Sequence, residues 1–173
     1  MDQIRRDELL NTIRHFSLPR YDEIPNVGLY LEQTTKYISE YMECMGDWVL
    51  TGSMISNYVK KGLIANPVKK QYDREQIAYL IFIAVAKSVM SMEDIRLLIQ
   101  LQKGAYESRK AYEYFRMELE NVLHYVFGLK ETLDTVGNDR TQTKNILRTV
   151  IVAAAHKAYL EQYFTILHEE NHE

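Results

Sequence analysis

The sequence predicts an all-α, mainly helical protein, with a winged helix-turn-helix bearing a small β-hairpin wing ahead of a C-terminal helical region. Three observations carry that prediction. Gly and Pro are scarce, at seven and three of 173 residues, while Leu, Ile, Glu, Lys, Ala and Tyr are plentiful. Apolar residues recur at helical spacing through most of the chain. Hydroxyl or carboxylate caps stand where several of these stripes begin. The boundaries read as an N-terminal helix and connector over 1–25, a winged helix-turn-helix over 26–103 and a C-terminal helical region over 104–173.

Taken in order, residues 2–14 form a short helix with Ile4, Leu9, Leu10 and Ile13 on a rough stripe. Phe16 to Pro25 is a connector, because each Pro pushes its predecessor out of helical geometry. Leu29–Met45 is a helix, with Leu31, Thr34, Thr35, Ile38, Met42 and Met45 at helical spacing. Gly46 and Asp47 break it, and Trp48-Val49-Leu50 leads across a tight turn into Leu50–Ile64. There Thr51 and Ser53 are both candidate N-caps. Ile55 with Val59, and Met54 with Tyr58, can share a buried stripe at i, i+4. Gly62 supplies a left-handed stop, with Leu63 packing back after it. Helix, turn, helix is a DNA-binding arrangement when the second helix carries a polar face, and Ser53, Ser56, Asn57 and Lys60 supply one here. The same face would serve equally as an ordinary solvated surface.

After Gly62, extended residues surround the turn-prone Asn66-Pro67, which predicts a small hairpin wing over 65–72 tipped toward Lys69 and Lys70. Asp73 then caps a new helix, with Gln76 in the capping-box position. That helix, Arg74 to about Val89, is apolar all round and should be core. Ser91 caps the next, with Ile95, Leu98 and Ile99 facing inward. Farther on, Ala111–Phe127 and Thr141–Leu167 read as helices, the second with Ala153, Ala154 and Ala155 allowing close approach. Tyrosines crowd this region; they could line a small-molecule pocket, although helix packing with a wet hydroxyl is the simpler reading.

Charge singles out one segment. The chain carries −3 in all, yet residues 51–74 hold five Lys/Arg against one acidic residue, whereas residues 1–50 hold five against nine. A local basic patch on an acidic protein is what a phosphate-contacting surface looks like. The candidate DNA-binding set is Ser53, Ser56, Asn57, Tyr58, Lys60, Lys61, Lys69, Lys70 and Arg74. Asn57 could pair bidentately with an adenine edge, and the lysines suit phosphates. Tyr58 could donate to a phosphate or be buried by its partner Met54.

The order of elements and their residues resemble the MerR-type winged helix-turn-helix. "SMISNYVKKGLI" is similar to that family's second helix, "KKQYDREQIAYLIFI" to its basic wing and third helix, and "VMSMEDIRLLI" to the entry of its fourth. Ser56-Asn57-Tyr58-Val59 departs from the usual Arg-Tyr-Tyr-Glu, so the Arg of the backbone clamp is missing. The whole of residues 16–103, including "LPRYDEIPNVGLYLEQTTKYI", is also similar to the bacterial domain-of-unknown-function family 1836. The MerR resemblance implies a DNA-binding transcriptional regulator. Its recognition helix would be 53–61, in the major groove, with the basic wing 65–72 on phosphates. The partners it implies are double-stranded DNA and a second copy of the chain, with a small-molecule effector as a further candidate. The alternative is a non-enzymatic protein–protein interaction module on the same helical fold.

Other classes find little support. Cys44 is the single cysteine, which excludes a disulfide framework and fits a reducing cytoplasm. The charged start, Arg5 to Glu8, does not read as a signal segment, and the apolar runs are too short to span a bilayer. His168-Glu-Glu-Asn-His172 matches the zinc-protease pattern letter by letter. It stands where helices fray, with no further ligand after it, and reads as a polar tail. No enzyme activity, cofactor or metal is expected.

Overall fold

The computed structural model describes residues 3–170. Asp2, expected in the first helix, and His172, the end of the zinc-protease pattern, lie outside them. Seven α-helices carry the described chain: α1 (Gln3–Arg14), α2 (Leu31–Met42), α3 (Gly52–Lys60), α4 (Arg74–Ala86), α5 (Met92–Ala105), α6 (Ser108–Val126) and α7 (Gln142–Glu170). Two short strands, β1 (Leu29–Tyr30) and β2 (Gln71–Tyr72), pair antiparallel. The protein is thus mainly helical.

α4 is the centre. Ile77, Ala78, Leu80, Ile81, Ile83, Ala84, Val85 and Ala86 are all buried, so the helix has almost no solvent face. It packs on α2, α6 and α7. Its start is fixed by a reciprocal cap: the Gln76 amide donates to Asp73 Oδ1 and the Asp73 amide to Gln76 Oε1, each at 2.9 Å. α5 begins on Ser91, whose hydroxyl accepts from the Asp94 amide at 3.1 Å. α6 and α7 lie side by side and run in the same direction, with Tyr114 beside Lys144, Glu118 beside Arg148 and Phe127 beside Tyr159, and Ala154 and Ala155 are buried. α1 lies against both of them through Leu9 and Ile13. A single apolar core therefore runs across the boundaries expected near residues 25 and 103.

The connector is held by polar contacts to α6. Leu18 and Tyr21 donate their amides to Glu120 (3.0 Å) and Glu113 (2.6 Å), and the buried Tyr112 hydroxyl donates to the Pro19 carbonyl at 2.9 Å. These bonds satisfy backbone groups that a Pro-rich segment cannot pair with itself.

Two details correct the expectations. α2 stops at Met42 instead of Met45, and no tight turn follows. A 3-10 segment, Glu43–Trp48, intervenes, with Gly46 at φ +55°. Trp48 is fully buried and meets Phe16 edge-on, centroids 6.1 Å apart, so burial of this large ring dictates the longer path. The wing also differs. Asn66-Pro67 is not its turn, and β2 pairs with β1 from before α2, not with residues just after Gly62.

Candidate nucleic-acid interface

α3 is built as a half-buried helix. Thr51 is the N-cap, its hydroxyl accepting from the Met54 amide at 3.2 Å, and Ser53 lies inside the first turn. Ile55 and Tyr58 are buried, while Ser53, Ser56, Asn57, Lys60 and Lys61 are exposed. Gly62, at φ +72°, closes the helix: its amide donates to Val59 and that of Leu63 to Tyr58, at 2.9 and 2.8 Å. This is a Schellman stop, and the buried Leu63 and Ile64 pin it to the core. From α5, Arg96 donates to the Lys61 carbonyl, placing a guanidinium at the negative end of α3.

The wing tip is a two-residue turn made by the lysines themselves. The Gln71 amide donates to the Val68 carbonyl at 2.9 Å, and Lys69 and Lys70 both have positive φ, 51° and 65°. This is the backbone of a mirror-image hairpin turn, normally filled by Asn-Gly. Two lysines in left-handed geometry cost of order 1 kcal/mol each. The turn is anchored by Tyr72, buried opposite Leu29, and by Gly28 at φ +74°, where an added Cβ would meet Gln71 at 3.0 Å. Tyr30 and Val68 both lie cross-strand from Gln71, and both are exposed.

Not every expected residue sits on this surface. Tyr58 is only 7 % exposed, and burial pushes its phenol pKa up; it is a core residue, as its spacing from Met54 allowed. Arg74 is turned inward. Its guanidinium donates to the carbonyls of Ile24 (2.8 Å) and Asp22 (3.1 Å), and it also pairs with the Asp22 carboxylate while lying 5.8 Å from the centre of the Tyr21 ring. Both therefore leave the candidate set for a structural reason. Lys60, Lys61, Lys69 and Lys70 remain, exposed and without a carboxylate partner among the described residues.

An open groove runs between the starts of α2 and α3, lined by Leu31, Glu32, Thr35, Lys36, Ser53 and Ser56. Lys36 was missed by sequence reasoning. It follows the Thr34-Thr35 pair that reads as buried stripe, and only the approach of α3 turns its side into a groove wall.

A family model described as a domain of unknown function (DUF1836) matches residues 19–115. The chain belongs to this family. The matched stretch contains α2, α3, the wing, α4 and α5, together with the start of α6. Neither the curated proteins nor the solved structures contain a match. No helix among the described residues is long and apolar enough to cross a membrane.

Proposed function

We propose that the protein is a cytoplasmic, non-enzymatic DNA-binding transcriptional regulator of MerR-like type. In this reading α3 (residues 53–61) enters the major groove of double-stranded DNA and the wing (65–72) grips phosphates. The observation that carries the reading is the Lys69-Lys70 turn. Two unpaired ammonium groups are held on strained backbone at the tip of an anchored hairpin, where Asn-Gly would fold more easily. Strain of this kind persists where a function requires it. Ser53, Ser56 and Asn57 supply a short polar face for base edges. Lys60 and Lys61 add cations where that face ends.

The test is a mobility-shift titration of the full chain against genomic fragments at two salt concentrations. Four lysines on four phosphates give a log–log salt slope of about −3.6 per chain, or about 150-fold weaker binding at 200 mM than at 50 mM salt. Replacing Lys60, Lys61, Lys69 and Lys70 by Ala should abolish that slope without unfolding the protein. No binding at low salt sinks the reading.

A second reading has its own observation. Leu97 and Leu101 on α5, and Leu160 and Phe164 on α7, are each about half exposed and stand at i, i+4. Apolar pairs of this kind suit a protein partner, and a second copy of the chain would combine both readings as a homodimer. Light scattering of the wild type and of a Leu97→Glu/Leu101→Glu variant separates them: a monomer in both removes the dimer.

A further inference from the structure

The second cleft of the molecule lies between α5, α6, the start of α7 and the segment that joins the last two helices. It is open to solvent on one side and holds about 230 Å³. Its walls are mostly apolar, with Tyr114, Met117, Val136 and Leu147 contributing. Met117 is half exposed at this wall.

The segment over the cleft is unusual. Residues 128–141 contain no helix or strand, a length at which loops are commonly functional or disordered. This one is tied down at both ends. Asn121 exchanges hydrogen bonds with the backbone of Asp134 at 2.9 and 3.2 Å. At the other end, the Tyr106 hydroxyl bonds Asp139 and Thr141, and Lys144 bonds Asp139 at 3.0 Å. Those two contacts hold the Asp139 carboxyl well below the usual range, at about 2, so it stays ionised.

The charged side chains that line the cleft, Lys110, Lys144 and Asp139, leave it net positive. Asp139 accepts from Tyr106 on one oxygen and from Lys144 on the other, and Gln102 is satisfied by the Tyr79 hydroxyl and the Tyr106 carbonyl. The donors are in surplus. Lys144 is buried to 8 % exposure, lies 4.6 Å from the centre of the Tyr114 ring and uses one of its three N–H groups on Asp139. Lys110, over the Tyr106 ring at 5.3 Å, has no carboxylate partner among the described residues. An incoming cation would meet a carboxylate already paired with Lys144 and a second ammonium beside it, whereas an anion finds two ammonium groups beside an apolar, aromatic wall.

We propose that this cleft binds a small aromatic carboxylate, with its ring on Tyr114, Met117 and Leu147 and its carboxylate between Lys110 and Lys144. The proposal does not depend on DNA binding. Calorimetric titration of the full chain with benzoate and salicylate, and with benzylamine as the cation of equal size, tests it. The carboxylates should bind saturably with Kd between about 10 µM and 1 mM, as befits so few atoms, and benzylamine should bind at least about tenfold more weakly. Lys110→Gln, at an exposed position, should weaken the carboxylates at least about fivefold with the melting temperature unchanged. Met117→Trp, at a half-exposed position, should block them. No saturable binding of either carboxylate up to about 10 mM, equal binding of benzylamine, or indifference to Lys110→Gln overturns the proposal.

Discussion

The cations of α6 and α7 and those around α3 and the wing behave in opposite ways. From residue 104 on, six of the eight Lys and Arg residues make ion pairs: Arg109 with Asp22, Arg116 with Glu113 and Glu120, Lys130 with Asp134, Lys144 with Asp139, Arg148 with Glu118 and Lys157 with Asp47 and Glu161. Between residues 60 and 70 there are four lysines, and none has such a partner among the described residues. Positive charge in the first region holds elements together; in the second it faces outward and is available to a ligand. Charge counting along the chain does not separate these two uses. Arg74 makes the point: it lies in the basic segment and belongs with the structural cations.

The comparison can be broken at its structural side first. Glu113 accepts the Tyr21 amide and pairs with Arg116. Glu113→Ala should cost about 1.5 kcal/mol, the lower end for bonds to a charged group because the site is partly wet. Calorimetry should show that as a melting temperature about 3–6 °C lower. The Lys60/Lys61/Lys69/Lys70→Ala variant should shift stability by less than about 0.5 kcal/mol. If it loses as much as Glu113→Ala, the lysines are structural after all.

The wing sharpens the contrast further. Lys69→Asn/Lys70→Gly installs the residue pair that this turn prefers, and should raise stability by about 1 kcal/mol in a denaturant titration. The same change should lower the salt slope of DNA binding by about 1.8, two phosphate contacts' worth. A variant that gains stability and keeps the slope would show that the strain serves no phosphate contact.

The smallest expected effect is a pH dependence on the paired side. Glu118 is 1 % exposed; Arg148 Nε stands 2.8 Å from one oxygen but not in line for a hydrogen bond, and both oxygens lack one. Burial raises its pKa, with Arg148 pulling the other way. The folded protein therefore holds this proton more tightly than the unfolded chain does. Its contribution is full below the ordinary carboxylate range and is lost as pH rises through the folded value. Glu118→Gln should flatten the stability profile above the ordinary carboxylate range, seen as a smaller change in urea midpoint as pH rises. An unchanged slope rules Glu118 out as its source.

Helix positions were legible because their signals are local. Thr51, Asp73 and Ser91 cap the helices they precede in the sequence, and Gly62 ends α3 where a left-handed residue was expected. What failed was non-local. Asn66-Pro67 is a strong turn signal, and no short-range rule places a hairpin turn on Lys-Lys. The partner of β2 lies some forty residues upstream, so its pairing is invisible until α2 has packed. The inward turn of Arg74 depends on the Asp22 and Ile24 carbonyls in the connector, which lie equally far away. The exposed faces of Ser53, Ser56, Asn57 and Lys60 follow from the stripe of Ile55 and Tyr58.

The all-round burial of α4 bears on how the protein can be taken apart. The family-matched stretch, residues 19–115, ends early in α6. It therefore lacks Leu119, Val122, Leu123, Ile151, Ala154 and Ala155, buried residues of the two later helices that pack on α4. Excised at those limits, the stretch would expose a flank of Ile, Leu and Val to water and stick to itself. The shared segment is a unit of inheritance, whereas the unit of packing is the whole helical assembly.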